Sequence, residues 1–273
     1  QAAPEITPKK DAFNILYGTV PLYWVNRPFG LNWNTCRERL LRSYRNVCRL
    51  HEQVGWDEML SHEYVTPDRD VQRTRFSSGT TVTVNFGARP FPVQGASGTY
   101  LLPQYGFLAE GPTVLEYMAQ EGARAVTFIQ TPSYLFADGA GEEHDFGVLV
   151  CSGQVEVKRG AGESTLRVRS DGRAQIRLAR LAPDAPTRAA DLRLFAIGSD
   201  GVRTGYRRLQ VRDGVLTLSA TEGWLELAWG NAIAASDLEV TACGIELPAA
   251  VVRQGPPLPV RVRVSNHGPV AGR

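Results

Sequence analysis

The chain has 273 residues, 43% of them apolar, which is enough for two domains with real cores and perhaps the start of a third; disordered, collagen-like and miniprotein architectures are excluded. Thirty Lys and Arg against 28 Asp and Glu give a formal charge of +2, too little for the basic field that nucleic acid or an anionic membrane requires. No window approaches the roughly 18 to 20 consecutive apolar residues of a membrane helix, and Gln1 to Lys10 are polar rather than signal-like.

Only Lys9, Lys10 and Lys158 among the basic residues are lysines, a skew better explained by the base composition of the coding DNA than by a site. Cys36, Cys48, Cys151 and Cys243 show no CxxC spacing, so zinc ligation has no support and no metal or cofactor is expected. Cys36 and Cys48 fall on one expected helix, about 18 Å apart at its rise per residue, too far for a disulfide. Free, buried thiols are expected.

In chain order, the first expected element is an apolar strand, Phe13 to Gly18. An aromatic loop, Val20 to Gly30, follows, with two prolines and a glycine that forbid a regular helix. Trp33 to Val54 reads as a long amphipathic helix, its Leu40, Tyr44, Val47 and Cys48 at three- and four-residue spacings, Asn34 or Thr35 at the cap and Gly55 at the stop. The period then drops to two: Leu60 to Val65 is a strand, and Val71 to Phe76 with Thr81 to Phe86 is a hairpin around Ser77-Ser78-Gly79. Gly87 to Pro112, rich in proline, is expected to cross between sheets, with an edge strand near Leu101 to Phe107.

From Thr113 onward strands recur with turn signals every eight to twelve residues, from Arg124 to Gln130 by way of Gln154 to Lys158, Ala174 to Leu181 and Asp191 to Ile197 through Leu238 to Ala242, the pattern of an antiparallel sandwich. Alternation such as Leu166-Arg167-Val168-Arg169 turns the aliphatics inward and makes these arginines a solvated face. The last segment, Pro259 to Val264 followed by Asn266-His267-Gly268-Pro269, is a strand and a turn, too little for a domain. The chain therefore reads as an internal piece of a longer polypeptide. A β/α piece followed by β domains is how the end of a (β/α) barrel enzyme reads, by analogy of fold.

Loops at the carboxyl ends of barrel strands build active sites, so the candidate substrate-binding residues are Tyr17, Tyr23, Trp24 and Asn26, with Arg27 beside them. Aromatic faces flanked by amide and guanidinium groups suit sugars; plugging the barrel end or anchoring the loop on the core with Tyr23 and Trp24 is the alternative use. Paired carboxylates for glycosidic chemistry are not convincing among Glu5, Asp11, Glu38 and Glu52, so no catalytic residue is assigned. Two clusters combine His with carboxylates: Asp57-Glu58 with His62-Glu63, and Glu142-Glu143-His144-Asp145, which reads as a surface turn before a calcium loop. No Ser/His/Asp arrangement or phosphate-binding glycine motif is present.

Asp11-Ala12-Phe13-Asn14-Ile15-Leu16-Tyr17-Gly18-Thr19-Val20-Pro21-Leu22-Tyr23, then Arg37-Glu38-Arg39-Leu40 and Ser43-Tyr44, then Val71 to Gly79 and Val82 to Gly87, resemble the late-barrel and post-barrel region of bacterial glycoside hydrolases related to the endo-alpha-N-acetylgalactosaminidases. The resemblance covers residues 9 to 110. It implies a retaining hydrolase acting on alpha-linked N-acetylgalactosamine or related sugars, extracellular or at the cell surface, with an Asp nucleophile and a Glu acid/base on earlier barrel strands. The chain alone is then expected to be inactive, with carbohydrate as its partner and neither nucleic acid nor membrane.

The expected organisation is mostly β. Residues 1–56 are the end of a (β/α) barrel, 57–112 a small post-barrel β domain, 113–247 a β-sandwich accessory domain, and 248–273 a linker opening an immunoglobulin-like module. The rival is a non-enzymatic carbohydrate-binding or adhesion sandwich. An orphaned barrel end would expose an apolar face and leave residues 1–56 labile.

Overall fold

The computed structural model describes residues 7–23, 33–159 and 164–234. The expected strands at 238–242 and 259–264 lie outside them, as does Cys243. The first element corrects the sequence reading: Pro8–Tyr17 is a helix, α1, not a strand. The Thr7 side chain accepts from the Lys10 N–H, Pro8 occupies the first turn, and Gly18 closes the helix at φ 62°. Ala12, Ile15 and Leu16 are buried together, the three- and four-residue spacing of a helix face that a short apolar run conceals. The long helix is present as expected, in three parts: α2 (Trp33–Ser43), a π-helical turn Tyr44–Cys48, and α3 (Arg49–Val54).

Strands fill the rest. The first seven are β1 (Met59–Tyr64), β2 (Val71–Phe76), β3 (Thr81–Asn85), β4 (Phe91–Gly95), β5 (Gly98–Leu102), β6 (Phe107–Glu110) and β7 (Leu115–Glu121). Next come β8 (Arg124–Gln130), β9 (Tyr134–Asp138), β10 (His144–Asp145), β11 (Leu149–Cys151), β12 (Gln154–Lys158), β13 (Thr165–Ser170) and β14 (Ala174–Arg177). A short helix α4 (Leu178–Leu181) takes the second half of the strand expected over 174–181. Then follow β15 (Leu192–Ile197), β16 (Arg203–Arg207), β17 (Val211–Arg212), β18 (Val215–Leu218), β19 (Leu225–Trp229) and the short α5 (Asn231–Ala234).

Twelve strands form one antiparallel sheet in the order β1-β2-β3-β6-β7-β8-β9-β12-β13-β19-β15-β16, and five form a second, β10-β11-β14-β18-β17. The expected hairpin is β2–β3, with Val71 opposite Asn85 and Arg75 opposite Thr81. Because β6 pairs with β7, strands on both sides of the expected 112/113 boundary share the large sheet.

Two cores hold the layers together. Leu135, Val155, Leu166, Leu194 and Leu227 of the large sheet pack against Leu149, Ile176, Leu216 and Leu218 of the small one, which makes this part a β-sandwich. On the opposite face, Ile15, Leu16, Val47, Leu50 and Val54 of the helices pack on Phe76, Val82, Val84, Phe107 and Ala109. Thr74 Oγ1 donates to the Leu16 carbonyl at 2.6 Å, and His51 Nδ1 meets the Gly18 carbonyl at 2.7 Å, so both ends of the helical segment are tied to the sheet layer and to each other. Arg167 and Arg169 are exposed as expected and are also paired across strands, Arg169 with Glu156 opposite it and Arg167 with Glu226 opposite it, while the buried Arg203 pairs with the same Glu226 at 2.7 Å.

The 87–106 excursion is not a plain crossover. Its β4 and β5 form a two-stranded hairpin, with Pro92 tolerated because the ladder has only two strands. The buried Asn85 organises it, its Nδ2 donating to the carbonyls of Arg89 and Leu102 at 2.9 and 2.8 Å and its Oδ1 accepting from Gly87 at 2.9 Å. Cys36 and Cys151 are buried free thiols, and Cys48 is free and half-buried.

Candidate functional site

Tyr17 and Tyr23 fall on two different constellations, while Trp24, Asn26 and Arg27 lie outside the described residues. Tyr17 is at the end of α1, one turn after Phe13, and the two rings lie parallel with centroids 6.4 Å apart. Phe13 touches Phe86 at 4.6 Å, Tyr17 touches His62 of β1 at 5.7 Å, and His62 meets Tyr64 edge-on at 5.1 Å. His62 and Tyr64 share a strand face because side chains alternate. Arg69 lies over the Tyr64 ring at 5.1 Å. The result is an aromatic ribbon across α1 and β1 that stays open to solvent: Phe13 and Tyr17 are each 37% exposed and Tyr64 53%.

The ribbon's edge carries polar groups. His62 Nε2 lies 3.0 Å from Gln72 Oε1, while Glu63, on the opposite face of β1, pairs with Arg73 at 3.4 Å. Rings with exposed faces and hydrogen-bonding groups at their margins suit ligands that are apolar on one side and hydroxylated at the edge. Glu63 is already matched by Arg73, and nothing in the ribbon forms a nucleophile with an adjacent base.

Tyr23 instead turns inward. Its hydroxyl donates to Ser43 Oγ at 2.6 Å, and Ser43 in turn donates to Asp11 Oδ1 at 2.5 Å. Burial pushes the Asp11 carboxyl up, against the lowering effect of the Ser43 hydrogen bond, and burial pushes the Tyr23 hydroxyl up to about 12. This chain ties the 19–23 segment and α1 to α2. Of the two uses weighed for Tyr23, a wall for substrate or an anchor, the geometry gives it the anchoring contacts.

The acidic cluster around His144 is held in ion pairs. Glu142 pairs with Arg124 at 3.2 Å and Asp145 with Arg177 at 2.6 Å, and the Arg177 hydrogen bonds hold the Asp145 carboxyl below its usual range. Among the described residues no group of three or more His, Cys, Asp and Glu side chains is arranged to hold a metal.

Phe13, Tyr64 and Phe86 were not singled out from sequence, and His62 only as a member of an acidic cluster. The alternation of His62 and Tyr64 was legible; their approach to Tyr17 required α1 to be a helix, since a strand would have sent Phe13 and Tyr17 to one face at twice the spacing. No protein-family model matches this chain, and no curated protein matches it.

Proposed function

We propose that this chain is a non-catalytic, carboxyl-terminal part of a glycoside hydrolase acting on alpha-linked N-acetylgalactosamine or related sugars. In this reading helices α1 to α3 belong to the end of the catalytic barrel, the sandwich is its accessory domain, and the catalytic carboxylates of the retaining mechanism lie outside the chain. The enzyme works outside the cell or at its surface.

The observation that carries the reading is the exposed ribbon Phe13–Tyr17–His62–Tyr64, a run of aromatic faces of the kind that stacks on pyranose rings, in the segment that resembles the glycosidase family. Tyr17 is its substrate-contacting member. No helix among the described residues is long and apolar enough to cross a membrane.

The test compares the whole polypeptide that carries this segment with the 273-residue chain, on aryl alpha-N-acetylgalactosaminide and aryl alpha-galactoside. Hydrolysis by the whole polypeptide only, with KM raised by Tyr17→Ala, supports the proposal. Hydrolysis by the 273-residue chain itself, or by neither, overturns it; glycan binding without hydrolysis in any form favours the adhesion-module rival.

A further inference from the structure

A second aromatic surface lies on the sandwich, away from the ribbon. A cleft of about 620 Å³ opens between the β4–β5 hairpin, the β7–β8 pair and the strand β10. That volume is in the range of small-molecule sites. Its floor is a continuous run of rings: Tyr100 to Tyr117 at 4.7 Å, Tyr117 to Phe128 at 5.5 Å, Phe128 to Phe146 at 5.4 Å and nearly parallel, and Phe146 to His144 at 4.5 Å edge-on. Tyr117 and Phe128 are buried beneath; Tyr100, His144 and Phe146 are half-buried and present the accessible faces.

The rings are held in place from several sides. The hairpin that carries Tyr100 is fastened by Asn85 at its base and, at its tip, by the Ala96 N–H donating to Glu110 Oε1 at 3.1 Å. Gly95 makes room for Tyr100, because a Cβ there would meet Tyr100 Cε2 at 2.7 Å. On the other side, Arg177 grips Asp145 with two hydrogen bonds, of 2.6 and 2.9 Å, and fixes the strand between His144 and Phe146. A site prepared in this way loses little freedom on binding.

The rim sets the ligand's chemistry. Glu121, Gln130 and Arg180 line it, with Glu121 and Arg180 exposed. Asp145 is matched by Arg177, which leaves one acidic and one basic side chain facing the opening, so the cleft has donors and acceptors but no net charge to draw an anion.

We propose that this cleft is a binding site for a neutral oligosaccharide, stacked on Tyr100 and Phe146 and hydrogen-bonded at its edge by Glu121, Gln130 and Arg180. It stands independently of the catalytic reading, since it uses none of the ribbon residues. Such a site would hold a glycan chain on the sandwich while other parts of the polypeptide act on it.

The test is affinity electrophoresis of the 273-residue chain through gels containing neutral polysaccharides (galactomannan, xylan, starch, desialylated mucin) or anionic ones (polygalacturonate, chondroitin sulfate). Retardation in at least one neutral gel, weakened tenfold or more by Phe146→Ala and by the surface pair Glu121→Ala/Arg180→Ala, and untouched by Tyr17→Ala, is the expected result. The surface pair lies outside the core, so it keeps the test decisive if Phe146→Ala unfolds the protein. Retardation only in anionic gels, no retardation in any gel, capture of a proline-rich peptide instead of polysaccharide, or retardation that the surface pair leaves unchanged would each overturn the proposal. Loss with Tyr17→Ala alone would place the binding on the ribbon and leave the earlier reading standing without this one.

Discussion

Glu116 sits on β7 between Ala109 and Ile129, on the face covered by the helices, and is 0% exposed. Neither of its carboxyl oxygens has a hydrogen-bond partner, and the Nε of Arg49 above it is likewise unpartnered. Arg49 places its Nη1 on Glu52 at 2.8 and 2.9 Å and its guanidinium over the Tyr134 ring at 4.2 Å instead. Burial therefore drives the Glu116 carboxyl well above its usual range, and the Arg49 charge only partly opposes this. The perturbation we would make is Glu116→Met, which keeps length and removes the polar group. A buried polar group without a partner costs about 1–3 kcal/mol, and exchanging buried charge for a hydrophobe of similar size gains about 1–4 kcal/mol. The variant should thus be more stable at pH 7 by about 2–3 kcal/mol, or roughly 4–12 °C in Tm for a domain of this size.

The pH dependence gives the sharper check. A carboxyl whose folded pKa is raised binds more protons in the native state, so its contribution to stability falls as pH rises from about 4.3, the unfolded value, towards the folded one. Urea unfolding followed from pH 7 to pH 4 should show the advantage of Glu116→Met shrinking as pH falls, while Glu116→Gln loses the pH dependence attributable to this group. A Glu116→Met protein that is less stable than the parent at pH 7, with the deficit cancelled by adding Arg49→Met, would mean that Glu116 is ionised and paired with Arg49, and would refute the reasoning.

Three further outcomes are expected. Ser43→Ala removes the donor to Asp11 and the acceptor for Tyr23 in a fully buried position, which should cost about 1–3 kcal/mol. Since the Ser43 hydrogen bond is the largest of the effects that oppose the upward push on Asp11, ahead of the Arg42 and Lys10 charges, that loss, measured by urea unfolding, should be larger at pH 7 than at pH 4. Gly18→Ala puts a side chain at φ 62° with its Cβ 2.8 Å from Val54 Cγ2, and chemical denaturation should show a loss of about 2–4 kcal/mol from the left-handed backbone and the overpacking together. Amide exchange over α1 and α3 should be nearly as slow as in β2 and β3, because Leu16, Leu50 and Val54 are core residues; rapid exchange there would restore the lability expected from sequence.

Legibility differed by element for physical reasons. The β2–β3 hairpin, β8, β12, β15 and the helix over 33–54 were readable because each carries its own period and turn chemistry. α1 looks like a strand in sequence because its apolar residues are adjacent as well as three and four apart, although Thr7-Pro8 and Gly18 bound it as a helix. β9 shows no alternation because it is buried on both faces, and in β7 the apolar Leu115, Tyr117 and Ala119 alternate with polar residues but Met118 and the buried Glu116 blur the pattern. The ribbon was half visible through Tyr17. The Tyr100–Phe146 cleft was not visible at all, since its rings come from segments up to 46 positions apart that only the hairpin and the small sheet bring together.

The π-helical turn at Tyr44–Cys48 gives the helical segment one place where its length can change by a residue without turning its faces. A π turn accommodates one residue more than an α turn over the same length. Upstream of it, Ser43 faces Asp11 and Tyr23; downstream, Leu50 and Val54 face the sheet. Losing a single residue from 44–48 would restore ordinary helix and leave both flanks near their present faces, so that Ser43 could still meet Asp11 and Tyr23 while Leu50 and Val54 meet the sheet. In a library of variants a one-codon deletion within 44–48 should therefore be accepted more often than one within 36–43 or 49–54, which would turn one flank by about 100° against the other.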